Sequence, residues 1–597
     1  MSEYLLIELL TEELPPKSLK QLSVAFGDEI VKGLVRNDLR ASDAPDPTLY
    51  ATPRRLAVLV PGVLAESEER RSEVTGPSVK VGLDANGAPT PALLGFARKN
   101  NVPVEALTRR DTPKGTVFVA QVIVPGNTLA GALSGIVEEA LKKLPIPKVM
   151  RWGDGDAEFV RPVHGLVMLH GSRVVPGLVL GLTSGNTTEG HRFLGKRSIA
   201  IANAAGYARQ LEAEGSVVAS FEERRERIEK LLLAEAARQH ATLGSYGDLL
   251  DEVTALVEHP SVYVGAFDAG YLDVPPECLV LTMRQNQKYF PLFDARGALL
   301  PRFLIVSNMR VDDPVHIVNG NQRVVRPRLE DARFFYVQDR KQRLEDRVPQ
   351  LAKVVYHSKL GSQLERVERI QLLSGEIARR LGGDHLLAQR AAWLAKADLL
   401  TGMVGEFPEL QGVMGRYYAI HDGEPAEVAA AIEAHYRPRY AGDTLPEGAT
   451  ACAVALAEKL DTLAGLFGIG QQPSGERDPF GLRRAALGVL RILAERELPL
   501  SLRELVNEAF ATFRGKVADA HADLETFIYE RFAGYLRDRG YTAREVDAVL
   551  SMRPARIDLV PRQLEAVRAF SRLPEADSLA AANTRVAKIL KPAQAKG

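Results

Sequence analysis

The periodicity of this chain changes once, near residue 340, and that change restricts the possible folds more than any other feature. Before it, β-branched and aromatic runs alternate with helical stretches. Residues 5–10 predict a buried strand, 11–16 (Thr-Glu-Glu-Leu-Pro-Pro) a loop, and 18–35 a helix. Residues 116–124 and 303–307 predict strands, and 221–241 an amphipathic helix with glutamates and arginines at i,i+4 spacing. After residue 340 the 3.6-residue period repeats with few strand signals. Helices are expected over 360–381, 387–404, 425–436, 449–467, 479–497, 501–513, 523–537, 542–551, 561–570 and 576–590, with a loose end over 591–597. The expected fold is multidomain α+β: an α/β region over 1–340, a helical domain over 341–500 and a second helical domain over 501–597.

Charge narrows the function classes. Lys+Arg and Asp+Glu are both 76, so the chain is not basic throughout, although basic and acidic faces can still balance. Two cysteines, Cys278 and Cys452, are too few for a disulfide framework and point to a reducing, cytoplasmic setting. The N-terminus lacks the basic start of a signal peptide. The apolar stretch 163–182 is broken by His164, His170, Arg173 and Pro176, so no membrane span and no membrane partner are expected.

Several catalytic signatures are missing. Gly185-Asn186-Thr187-Thr188-Glu189-Gly190-His191-Arg192 lacks the lysine and hydroxyl of a phosphate loop. No HExxH or GxSxG motif occurs. Lys396-Ala397-Asp398 together with Glu458-Lys459-Leu460-Asp461 resembles the helical frame of a metal-dependent HD phosphohydrolase, but Ala397 stands where a ligand histidine is expected and cannot coordinate metal. His421-Asp422, the only His-Asp dipeptide, reads as a turn and helix cap. An active HD site would instead hold metal at Asp398 and Asp461. The expectation is no catalytic residue, no metal and no bound cofactor.

The positive signals are basic and aromatic. Residues 323–347 hold eight basic and five acidic side chains around Phe334, Phe335 and Tyr336. Guanidinium groups suit phosphates and aromatic faces suit unstacked bases, while a solvated helix over a packed aromatic core fits the same letters. Met283-Arg284-Gln285-Asn286-Gln287-Lys288-Tyr289 has a similar mix, and Arg151 and Arg161 flank Trp152 as weaker phosphate candidates. Asp478 and Pro479 predict a helix start, after which Arg484 and Arg491, seven residues apart, share a face. That face suits either a phosphate backbone or an acidic protein. Candidate RNA- or partner-contacting residues are Arg323, Arg326, Arg328, Arg340, Lys341, Arg483 and Arg484.

A set of longer motifs runs the length of the chain: Thr11-Glu12-Glu13-Leu14-Pro15-Pro16, Thr52-Pro53-Arg54-Arg55-Leu56, Lys143-Leu144-Pro145-Ile146-Pro147-Lys148 with Met150-Arg151-Trp152-Gly153, and Phe159-Val160-Arg161-Pro162-Val163-His164. Gly190-His191-Arg192-Phe193, residues 321–335, Gln411-Gly412-Val413-Met414-Gly415 and residues 470–484 follow in order. Together they resemble the β subunit of the bacterial heterotetrameric glycyl-tRNA synthetase. The resemblance implies a tRNA(Gly)-binding subunit of a glycine–tRNA ligase in an α2β2 assembly, with a degenerate HD domain and a helical anticodon-binding domain. It also implies that ATP and Mg are used by the α subunit. Asn583-Thr584-Arg585-Val586-Ala587-Lys588-Ile589-Leu590-Lys591 resembles an early helix of the anticodon domain, which is then expected to be incomplete at its C-terminus.

Overall fold

The computed structural model describes residues 2–576 apart from 85, 114 and 125, and then 578, 579, 582, 585 and 586. Most of the expected helix over 576–590, most of the motif over 583–591, and the end over 591–597 lie outside the described residues. The chain divides into two compact units, one of residues 1–269 with 283–326, the other of 270–282 with 327–597.

The first unit is built on a five-stranded antiparallel sheet in the order Arg173–Val174, Val163–His170, Ser2–Thr11, Arg55–Leu64, Thr48–Thr52. Ser2–Thr11 is central and covered on both faces, which explains its unbroken apolar run. Leu5, Ile7 and Leu9 point to one face, where Leu22, Phe26, Ile30 and Leu34 of the helix Leu19–Arg36 pack with the helix Leu129–Lys142. Leu6 points to the other, against Tyr207 and Leu211. Glu8 falls on this second face and is buried, accepting from the Thr188 hydroxyl and the Tyr207 phenol. Two three-stranded antiparallel sheets follow: Arg70–Ser78, Gly115–Val124 and Thr108–Thr112, then Ser261–Ala266, Leu299–Ser307 and Phe290–Phe293. The last is covered by Ile228, Leu232 and Ala236 of the helix Phe221–Arg238. The apolar stretch 163–182 is a core strand followed by the short strands Arg173–Val174 and Leu178–Val179 and the start of Leu182–Thr183. Among the described residues no helix is long and apolar enough to cross a membrane.

The second unit is helical around Gly448–Gly468, a helix buried on nearly every face. Gln363–Arg380, Ala426–Ala434, Leu482–Glu495 and Leu502–Ala511 surround it. Caps set several boundaries: Ser362 and Glu365 form one capping box, Thr542 and Glu545 another. Two expectations change. Residues 387–404 are not one helix but His385–Leu394, a 3-10 turn Ala397–Leu400 and Gly402–Glu406. The break arises because Asp339 accepts from the Gly402 and Met403 N–H groups and Thr401 caps Val404. The helix expected from residue 479 begins at Leu482; Asp478 caps it across a short loop, accepting from the Leu482 and Arg483 N–H groups at 2.9 Å each. The window over 323–347 begins inside one 25-residue helix, Val315–Asp339, which contains Pro327. His421 closes the helix Val413–His421, and Asp422 follows as its cap while accepting from Leu344 N–H at 2.7 Å.

Candidate nucleic-acid interface

Four segments of the helical unit converge on a buried group of charges. The helix Gly448–Gly468 carries Glu458, Lys459 and Asp461; Gln363–Arg380 carries Arg366 and Arg369, one turn apart on the facing side. Arg366 donates to Glu458 at 2.8 Å and Asp461 at 3.3 Å, and Arg369 donates to Asp461 at 2.6 Å. Lys396 lies 2.9 Å from Glu458, and Lys459 donates to the carbonyls of His435 and Arg437 at 3.2 and 2.7 Å. Burial would raise the Glu458 pKa, but the Arg366 and Lys396 charges outweigh it and hold the carboxyl well below its usual range. Burial dominates at Lys396 and Lys459, whose ammonium groups fall to about 8 and about 7.

Asp398 is fully buried and accepts from the Gly412 and Gly415 N–H groups at 2.5 and 3.1 Å. Gly412 has φ +83°, and a Cβ at Gly415 would meet the Asp398 carboxylate at 3.0 Å, so both glycines of the Gln411–Gly415 motif serve this approach. Burial raises the Asp398 pKa to about 6. The donor set does not fit the metal of an HD centre. Ala397 offers no ligand, Asp398 Oδ2 is held by two backbone N–H groups, and Asp461 is held by the guanidiniums of Arg366 and Arg369. Among the described residues no three His, Cys, Asp or Glu side chains are placed to hold a metal ion.

Beside this network lies a cleft of about 510 Å³, lined by Arg366, Lys459, Tyr356, Tyr436 and Phe480 and reaching Arg439 and Arg484. Arg439 and Arg484 also line a wider groove of about 810 Å³ with Arg483, Arg531, Arg539, Tyr440 and Tyr535. The groove therefore presents five guanidiniums against one lining carboxylate, Asp538. Tyr440 is 64% exposed, and Arg539 lies over the Tyr535 ring at 4.5 Å. Tyr535 donates to Glu495 at 2.6 Å, and Arg483 bonds the Gly475 carbonyl. Among the described residues the buried Arg531 Nε has no hydrogen-bond partner.

Arg491 does not join this surface. It is buried and donates to the carbonyls of Ala441 and Asp443 at 2.8 and 3.0 Å and to Glu495 at 2.9 Å. The face shared with Arg484 thus ends after one turn. Sequence reasoning missed Arg439, Arg531 and Arg539; the run Arg437-Pro438-Arg439-Tyr440 was the available signal.

The other candidates lie elsewhere. Arg323, Arg326 and Arg328 are exposed on the helix Val315–Asp339, and among the described residues none has an ion-pair partner. Arg340 donates to His421 at 3.2 Å and lies over Tyr336, while Lys341 donates to Gln338 at 2.9 Å. Of the aromatic run, Tyr336 stacks on Tyr418 and Phe335 packs at Gly402, whereas Phe334 is 56% exposed. Arg161 is spent on the carbonyls of Glu13 and Val160, and exposed Arg151 lies 3.5 Å from Asp156. Lys288 pairs with Glu252 at 2.9 Å.

In the first unit the strand ends gather four of the longer motifs. Thr11 N–H donates to the Arg54 carbonyl at 2.8 Å, and Glu12 N–H to the Pro162 carbonyl at 2.9 Å. His164 Nε2 lies 3.0 Å from Glu12, Arg54 donates to Glu189 at 3.3 Å, and buried Arg55 donates to the Glu189 carbonyl at 2.8 Å. Each motif meets another across more than 35 residues of chain.

A sequence model described as "Glycyl-tRNA synthetase beta subunit" matches residues 5–551. The chain belongs to the glycyl-tRNA synthetase beta subunit family. It is similar to the glycine–tRNA ligase beta subunit of Aromatoleum aromaticum, 59% identical over 99% of this chain and 85% of that protein. The Neisseria meningitidis serogroup B protein of the same name is 52% identical over 100% and 86%, and the Thiobacillus denitrificans one 53% identical over 99% and 86%. Membership makes this chain a beta subunit of an aminoacyl-tRNA synthetase, a ligase of the glycyl-tRNA type.

Proposed function

We propose that this chain is the tRNA-gripping subunit of glycine–tRNA ligase and works with a companion α subunit in an α2β2 assembly in the cytoplasm. ATP, Mg and the adenylate chemistry belong to the α subunit, and this chain binds no cofactor. Residues 341–500 are read as a degenerate HD-like domain whose metal site has become the ion network of Arg366, Arg369, Lys396, Glu458 and Asp461. Residues 501–597 are read as part of an anticodon-binding domain.

The observation that carries tRNA contact is the groove of five arginines and two tyrosines, drawn from residues 439–440, 483–484 and 531–539. Guanidiniums bind the phosphate backbone and the exposed tyrosine face receives an unstacked base. In the first unit Arg323 and Arg326, exposed one helical turn apart and without an ion-pair partner among the described residues, are further phosphate candidates; in the second unit Arg328, Arg340 and Lys341 are candidates as well.

The test uses the full chain, the purified companion α subunit and tRNA(Gly). The chain alone is expected to bind tRNA(Gly) with an affinity that falls steeply with salt, and to make glycyl-tRNA only once α is added. Glycylation by this chain alone, or no affinity for tRNA(Gly) at low salt, would overturn the reading.

A further inference from the structure

A second cavity, of about 630 Å³, opens in the first unit and has the opposite character to the arginine groove. Its floor is core: Leu141, Leu144 and Phe159 are at most 7% exposed and belong to the cluster under the five-stranded sheet. Its mouth is apolar too, with Ile146, Leu180 and Val149, the last 47% exposed; Met150, next along the chain, is 43% exposed. The charges lining it are Glu138, Asp156 and Glu158 against Lys142, with Arg151 at the rim 3.5 Å from Asp156, which leaves the mouth net acidic by one charge.

The turn at the rim is unusual. Leu180 and Gly181, with φ +51° and +79°, form the two-residue link between Leu178–Val179 and Leu182–Thr183. Such a link favours Asn-Gly, and leucine is poorly suited to its first position. Leucine there places an apolar side chain in the cavity wall where asparagine would place a polar one. A disfavoured backbone that shapes a pocket is a recognised mark of a binding site.

An acidic rim repels RNA phosphate, and an open apolar floor calls for an apolar occupant. We propose that this cavity seats an apolar side chain of the companion α subunit, carried on a segment with lysine or arginine beside it. The inference rests on the companion-subunit reading above and names the surface that reading leaves open. The acidic rim steers the basic segment in, and the Leu141, Leu144 and Phe159 floor holds the anchor.

The test measures binding of the full chain to purified α subunit by calorimetry, using Val149→Asp and Glu158→Lys. Both positions are exposed, and circular dichroism with thermal unfolding checks that each variant folds. Each is expected to weaken α binding by about tenfold or more, the loss typical of an interface anchor. Glu158→Lys should also flatten the salt dependence, while affinity for tRNA(Gly) stays unchanged. Unchanged α affinity in both variants, with the unaltered pair still making glycyl-tRNA, overturns the seat and leaves the proposed role standing. If the unaltered pair makes no glycyl-tRNA, the role itself fails. If the variants alter self-association in sedimentation and leave α binding intact, the occupant is a second copy and the proposal is wrong.

Discussion

Lys396 Nζ lies 2.9 Å from Glu458 Oε1, both side chains nearly withdrawn from water, and fully buried Ala397 is the next residue along. Arg366 closes this lysine–glutamate pair into a network with Asp461. Buried charges of this kind hold helices in register only while every partner is present.

Asp461 is where that dependence is most exposed. Asp461→Asn keeps the shape but leaves Arg366 and Arg369 without their shared carboxylate. The expected loss is about 3–5 kcal/mol of stability in the helical unit. Urea unfolding followed by circular dichroism measures it.

Lys459 sets a pH dependence. Its pKa is lowered from 10.5 to about 7 by burial, so the folded unit releases a proton that the unfolded chain retains. Between these values unfolding takes up about one proton, and this contribution to stability rises as pH rises from 7 to 10.5. Asp398, raised from 3.8 to about 6, acts in the opposite sense at lower pH: its contribution is lost as pH rises through that interval. Calorimetry in buffers of different ionisation enthalpy should detect the alkaline uptake, reduced in Lys459→Met.

Arg484 and Arg491 should separate cleanly although they share one helix. Arg484→Ala, at an exposed position, should change stability by less than about 0.5 kcal/mol, weaken tRNA(Gly) binding and lower the salt slope by about one. Arg491→Ala removes the donors to Ala441, Asp443 and Glu495 and should cost about 1–3 kcal/mol in stability. Filter binding across a salt series, paired with thermal unfolding, distinguishes the two.

Gly190 tests the crowded loop of the first unit. A Cβ there would sit 2.7 Å from Gly215 Cα and 2.8 Å from its carbonyl oxygen, backbone atoms that cannot swing away. Gly190→Ala should destabilise the unit by about 1–3 kcal/mol and speed proteolysis of the loop around Arg192. Limited trypsin digestion reads this directly.

Local chemistry was legible in the sequence wherever near neighbours decide it. The helices Leu19–Arg36 and Gly448–Gly468 follow from apolar pattern within one residue, and the strand Ser2–Thr11 begins three residues before its expected start. The absence of a ligand at Ala397 and the family motifs needed no coordinates. The helix breaks at 395–401 did not show, because Asp339, some sixty residues earlier, provides the competing hydrogen bonds.

The amino-acid sequence by itself determined the two-part character of the chain, its family and where its basic side chains lie along the backbone. Only the tertiary structure decided which of those side chains face outward. Arg491 ends buried on two carbonyls near residue 442, Arg161 ends on Glu13, and Arg484 ends in a groove with residues 439 and 531. A guanidinium reads the same in every sequence window. Its role depends on which distant carboxylates, carbonyls and rings folding brings within about 3–4 Å, because hydrogen bonds and close ion pairs act only at that range.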